Sequence, residues 1–139
     1  MENFLVKVPL FHSLSDRQQK QLENRFITRQ YKSGEAIVVQ GKGGAGLFII
    51  VSGCAEAVVE SMDGDKTVVN VFEATDFFGE IALLDDGPRT ASVIAKEDTE
   101  CKVLSRADFI AIMKDDADMG VAISAELAKR LRSTISAMG

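Results

Sequence analysis

Tryptophan is absent from the 139 residues, histidine and tyrosine occur once each, and there are two prolines and two cysteines. One histidine, His12, with two separated cysteines cannot supply a three-histidine or four-cysteine metal centre. No metal is therefore expected, and a β-barrel metalloenzyme is disfavoured. Cys54 and Cys101 are too few for a disulfide framework, which fits a reducing, cytoplasmic compartment. The chain lacks an apolar run of the roughly 20 residues that a membrane span needs, and its first residues lack a signal-peptide pattern. Basic excess is missing too: 21 acidic against 16 basic residues give a net charge of −5. A partner held through general positive charge, whether nucleic acid or an anionic membrane, is disfavoured.

What is present is an ordinary globular composition, 46% apolar and 27% charged, in a length that suits a single domain over residues 1–139. Three zones divide it. Residues 1–30 read as helical: Val8, Leu10, Phe11, Leu14, Leu22 and Phe26 recur at spacings near three and four, and Ser15 with Gln18 forms a capping pair. Residues 31–104 carry short β-branched runs between turn signals, among them Ala36–Val39, Leu47–Val51, Ala55–Val59, Thr67–Phe72, Ala91–Ala95 and Cys101–Leu104. Asp63-Gly64 marks a hairpin. Strands at roughly ten-residue intervals indicate an antiparallel sandwich or barrel. Residues 105–139 are helical again, with Ser105 as a cap and a long helix from Ala117 to Ala137. Its apolar stripe is Val121, Ala125, Ala128, Leu131, Ile135 and Met138.

Gly41-Lys42-Gly43-Gly44-Ala45-Gly46 spells G-x-G-x-x-G, the dinucleotide fingerprint. That motif requires a helix after its last glycine, to hold a pyrophosphate at its amino end. Here Leu47–Val51 follows, which reads as a strand, so these glycines are expected to form a turn with positive φ. P-loop and nucleophile-elbow patterns are both missing.

Residues 77–93 stand apart. Gly79 permits a close backbone approach, Ile81 to Leu84 can form one helical turn, and Gly87-Pro88 stop it. Arg89 then arrives just before a β-branched strand. Its planar fork of donors suits a phosphate, whereas Glu80 suits a sugar hydroxyl. This F-G-E-x-A-L-L…P-R-T-A-S-V segment resembles the phosphate-binding cassette of the cyclic nucleotide-binding domain family. Leu10-Phe11-x-x-Leu14-Ser15, Gly34-Glu35, Phe48–Gly53 and Ile123–Leu131 extend the likeness over nearly the whole chain.

The resemblance implies a mainly β fold, an antiparallel jelly-roll-like β-roll with N-terminal and C-terminal helices. It implies a non-catalytic regulatory sensor, without a cofactor, of a 3′,5′-cyclic nucleotide, cyclic AMP in preference to cyclic GMP. Arg89 would pair with the cyclic phosphate and Glu80 with the ribose 2′-hydroxyl. Gly79, Ile81 and Ala82 would contribute backbone contacts, Thr90 would lie against phosphate and base, and Val69, Asn70 and Thr134 would approach the base. The C-terminal helix would transmit occupancy and leaves a homodimer open. No DNA reader is expected in this chain. The alternative is a ligand-free interaction or dimerisation module of the same fold. One departure is notable: where the family carries glycine two residues before the first Phe of the cassette, this chain has Thr75.

Overall fold

The structure, a computed structural model, describes residues 4–42, 46–79 and 89–138. Two compact units are distinguished, one comprising Met1–Arg25 with Ile110–Gly139, the other Phe26–Phe109.

The second unit is the β-roll. Its strands are β1 (Ile27–Tyr31), β2 (Ala36–Val38), β3 (Gly46–Ser52), β4 (Ala55–Glu60), β5 (Lys66–Phe72), β6 (Phe77–Phe78), β7 (Ser92–Ala95) and β8 (Thr99–Ser105). Among the described residues they form two four-stranded antiparallel sheets, ordered β1-β8-β3-β6 and β2-β7-β4-β5. Both sheets feed one core. Phe48, Ile50, Phe78 and Cys101 come from the first, and Ala55, Ala57, Phe72 and Val93 from the second. Each large side chain so buried contributes about 1.5–3 kcal/mol relative to exposure. Gly46 to Ile50 are buried at every position, as expected for a strand inside its sheet and covered on both faces. The hairpin at Asp63-Gly64 forms as the sequence indicates, with Gly64 at φ +86° and its N–H donating to the Ser61 carbonyl at 2.9 Å.

One sequence expectation needs correction. The first helical zone does not reach residue 30, because Ile27–Tyr31 is strand β1, paired along its length with β8 from Ile27↔Val103 to Tyr31↔Thr99. Ile27, Thr28 and Tyr31 are good strand formers, and a complete ladder outweighs weak helical periodicity. Cys54 lies in the turn between β3 and β4. Gly53 before it sits at φ +103°, against Thr99.

The other unit begins with a 3-10 turn (Phe4–Lys7) and α1 (Asp16–Glu23). The capping box is complete: the Gln18 N–H donates to Ser15 Oγ at 3.2 Å, and the Ser15 N–H donates to Gln18 Oε1 at 3.0 Å. Buried Gln19 donates Nε2 to the Phe11 carbonyl at 3.1 Å, so its amide is not left without a partner. α2 (Arg106–Asp115) starts at the Ser105 cap, whose Oγ accepts the Asp108 N–H at 3.1 Å. Asp116 caps α3 (Ala117–Met138) by accepting the Met119 N–H at 3.1 Å. α3 buries Met119 and Ile123, whereas Val121, Leu131, Ile135 and Met138 of the expected stripe are exposed. No helix among the described residues is long and apolar enough to cross a membrane.

Candidate ligand-binding site

The site is built at the first residues of β3. Two backbone hydrogen bonds fix Arg89 against the loop that follows β2. The Gly41 N–H donates to the Arg89 carbonyl at 2.8 Å, and the Arg89 N–H donates to the Lys42 carbonyl at 3.1 Å. With its backbone clamped, the side chain reaches the opening of β3. Nη2 donates to the Gly46 carbonyl at 3.1 Å, and Cζ lies 5.7 Å from the centroid of the Phe48 ring. Phe48 stacks on Phe78 at 5.1 Å with an interplanar angle of 2°, and Phe78 tilts against Phe72, also at 5.1 Å. Arg89 is thus a half-buried cation on a tier of aromatic rings.

Gly79, the residue after β6, closes this corner. It adopts φ +88°, a conformation that side-chain-bearing residues rarely take. A Cβ there would collide with the Gly46 carbonyl oxygen and stand 2.6 Å from Arg89 Nη1. Glycine is required twice over, for the dihedral and for the space. Gly79 and Arg89, paired by the sequence reading, are therefore brought together.

The remaining candidates are distributed differently. Thr90 is exposed, immediately after Arg89. Val69 and Asn70 are exposed on β5 of the other sheet. The register there shifts between Ala57↔Asn70 and Val58↔Val68, which leaves Val69 without a partner on β4. This is a β-bulge, a device that re-aims side chains beside sites. Asn70 Oδ1 accepts the Val71 N–H at 2.9 Å. Thr134 is an exposed residue of α3 and donates Oγ1 to the Arg130 carbonyl at 3.1 Å. Glu80, Ile81, Ala82 and the single helical turn expected at Ile81–Leu84 lie outside the described residues.

Sequence reading missed two participants, the Gly46 carbonyl and the Phe48 ring. Gly46 drew notice as part of a glycine motif and Phe48 as a strand residue, and no local signal linked either to Arg89. Gly41 does take positive φ, at +79°, as a turn requires, but Gly46 is already strand. Burial pushes the Cys101 thiol up to about 11, and desolvation with the nearby carboxylates of Glu73, Glu97 and Glu56 raises that of Cys54. A thiol held protonated is a poor nucleophile and a poor metal ligand.

Comparison with known proteins points the same way. Residues 28–116 match the family described as cyclic nucleotide-binding domain. A cAMP-dependent protein kinase regulatory subunit from Mycosarcoma maydis is 41% identical over 71% of this chain and 19% of its own length. A cyclic AMP receptor protein from Thermus thermophilus is 34% identical over 89% of this chain and 57% of its own length. This chain therefore spans between about a fifth and three-fifths of the length of these relatives. Among solved structures, the N-terminal domain of a transcriptional regulator from Streptomyces coelicolor superposes with a TM-score of 0.86 at 27% identity. It covers 98% of this chain and 95% of that one. The regulatory domain of Toxoplasma gondii protein kinase A, co-crystallised with cAMP, gives 0.81 at 27% identity, over 94% of this chain and 48% of that one.

Proposed function

The chain belongs to the cyclic nucleotide-binding domain family, and from that premise we propose that it is a non-catalytic sensor of a 3′,5′-cyclic nucleotide, with cyclic AMP preferred over cyclic GMP. The observation that carries this reading is the convergence of Gly79 and Arg89 at the opening of β3. A cyclic phosphate carries one negative charge over two exocyclic oxygens, and a guanidinium presents paired donors in the matching plane. Gly79, without a side chain, lets the ligand approach the backbone beside that cation. Glu80 takes the ribose 2′-hydroxyl and gives the sugar its specificity. Ile81 and Ala82 supply backbone donors, and Thr90 sits at the junction of phosphate and base. Val69 and Asn70, turned by the β5 bulge, approach the base, as does Thr134. Cyclic AMP is favoured because the Mycosarcoma maydis and Thermus thermophilus relatives bear its name and the Toxoplasma gondii domain was crystallised with it.

Binding is read out through α3, whose exposed apolar face offers contacts that can differ between liganded and unliganded states. Calorimetric titration with cyclic AMP tests the proposal directly, with competition by cyclic GMP as the second arm. Saturable one-to-one binding, weakened by about 1.5–3 kcal/mol for the 2′-deoxy nucleotide, is expected from a charged hydrogen bond to Glu80. No heat and no competition from either nucleotide would leave the ligand-free module as the correct reading.

A further inference from the structure

Phe48 sits in two settings at once. It is a core residue, 8% exposed and stacked on Phe78, and it presents its other surroundings to the Arg89 guanidinium, whose Cζ is 5.7 Å from the ring centroid. A cation within about 6 Å of a ring face is attracted by the ring quadrupole, more strongly where water is excluded. The contacts with Gly46 and Phe48 use different parts of the guanidinium. Gly46 takes a donor at its edge, through Nη2, and Phe48 engages its carbon centre. Anions bind at the N–H edges, so the ring does not compete with a phosphate.

We infer that Phe48 is a positioning residue for anion capture, holding Arg89 at the angle from which its fork meets the phosphate. This rests on the proposed function and deepens it. The Phe48 ring is itself immobilised. Phe78 lies parallel to it, Phe72 abuts Phe78, and all three are buried across both sheets. A side chain locked by packing gives the residue above it a fixed reference, which a flexible aliphatic chain of similar volume does not. An ordinary core phenylalanine would fill the same space but owe nothing to Arg89. The distinction is therefore an energetic coupling between the two side chains, not a loss of stability.

The test is a double-mutant cycle of Phe48→Met and Arg89→Gln, with cyclic AMP affinity measured in all four proteins, alongside nitrogen-15 spectra of the Arg89 Nε–Hε group. Methionine keeps the volume and removes the π face. Phe48→Met should weaken binding about three- to tenfold when Arg89 is present and by less than about twofold in the Arg89→Gln background. The Arg89 Hε signal should lose ring-current shielding in Phe48→Met, with or without nucleotide. Equal losses in both backgrounds, or an unshifted Hε signal, would overturn the inference and return Phe48 to a purely structural role. If the unmodified protein binds no cyclic AMP, the proposed function fails, and the Hε signal alone decides whether Phe48 orients Arg89. Should Phe48→Met fail to fold, a nuclear Overhauser contact between the Phe48 ring and the Arg89 side chain of the unmodified protein supports the inference, and its absence overturns it.

Discussion

Arg89 Nη2 donates to the Gly46 carbonyl oxygen at 3.1 Å, tying the end of the cassette to the first residue of β3. The arginine is therefore held by the fold before any ligand arrives, and little side-chain entropy remains to be lost on binding. Arg89→Ala should reduce cyclic AMP affinity by about 10²–10⁴-fold, equivalent to about 3–5 kcal/mol for stripping a partner from a sequestered charge. Arg89→Lys should also bind poorly, since one ammonium cannot hold the Gly46 carbonyl and grip two phosphate oxygens in a plane. Calorimetry checks both. Affinities within about threefold of the parent for the two variants would remove Arg89 from the site.

Gly79→Ala tests the other half of that corner. The added Cβ meets the Gly46 carbonyl and Arg89 Nη1 in a backbone conformation that already costs alanine about 1 kcal/mol. Relief requires either the loop or the guanidinium to shift. Binding should therefore fall by at least about tenfold while the β-roll still folds cooperatively. A variant that binds normally would show that the corner is more yielding than its packing implies.

Thr75 adopts φ +75°, the left-handed region that β-branched residues avoid. The conformation is imposed from outside the residue. The Thr75 N–H donates to the Ile50 carbonyl at 2.8 Å, and the Ile50 N–H donates to the Asp76 carbonyl at 2.9 Å, so the loop is stitched to β3 just before β6 begins. The family's glycine would sit there without strain, and the strand pairing is kept despite its loss. Relief of about 1–2 kcal/mol of strain exceeds the roughly 0.5–1 kcal/mol entropy cost of introducing glycine. Thr75→Gly should accordingly raise the melting temperature by about 2–4 °C, while Thr75→Ala should not. A lower melting temperature for Thr75→Gly would show that the threonine side chain makes a compensating contact.

Cys101 gives the stability a pH dependence of definite sign. Burial holds its thiol protonated in the folded state up to about 11, against an ordinary value near 9. Between those values the unfolded chain releases a proton that the folded protein retains, so rising pH favours unfolding. The contribution is fully present below about pH 9 and is lost progressively as pH rises through about 11, on the order of 3 kcal/mol in total. Cys101→Ala should flatten that part of the melting-temperature profile. An unchanged slope would assign it to other groups, Tyr31 first, whose phenol is also raised by desolvation.

Local signals in the sequence, alternating β-branched runs and the Asp63-Gly64 hairpin, reached as far as an antiparallel sandwich or barrel, whereas the β-roll and the pairing of Gly79 with Arg89 in one segment came from the resemblance to the cyclic nucleotide-binding domain family. Other features depend on partners distant in the chain. Strand β1 exists through its ladder with β8, about seventy residues away, and its own residues gave only a weak pattern. The Val69 bulge is a property of the register between β4 and β5, to which composition is blind. Phe48 and Gly46 join the site because β3 passes beneath Arg89, a fact of topology. Conversely, the strain at Thr75 was visible in outline as a glycine missing from a family position, and the dihedral gives that absence its physical cost.

The C-terminal half of α3 yields the last prediction. Leu131, Ile135 and Met138 recur at helical spacing and are 62%, 60% and 83% exposed. A twofold interface would bury each of them twice, six side chains at about 1–1.5 kcal/mol apiece for partial burial, or roughly 6–9 kcal/mol in gross terms. Association itself costs an estimated 4–15 kcal/mol, so the balance favours a weak dimer at most, dissociating in roughly the micromolar-to-millimolar range. An interface so close to balance should not survive loss of its central residues. Leu131→Ser with Ile135→Ser should abolish dimerisation measured by sedimentation velocity, and should leave the melting temperature of the monomer within about 2 °C, because neither side chain is buried in the single chain. If α3 carries the nucleotide signal, saturating cyclic AMP should also change the parent's dimer dissociation constant, since a ligand moves an equilibrium only by its differential affinity for the two states. A parent protein that sediments as a monomer up to about 0.5 mM, with and without nucleotide, would exclude the homodimer and require another partner for this face.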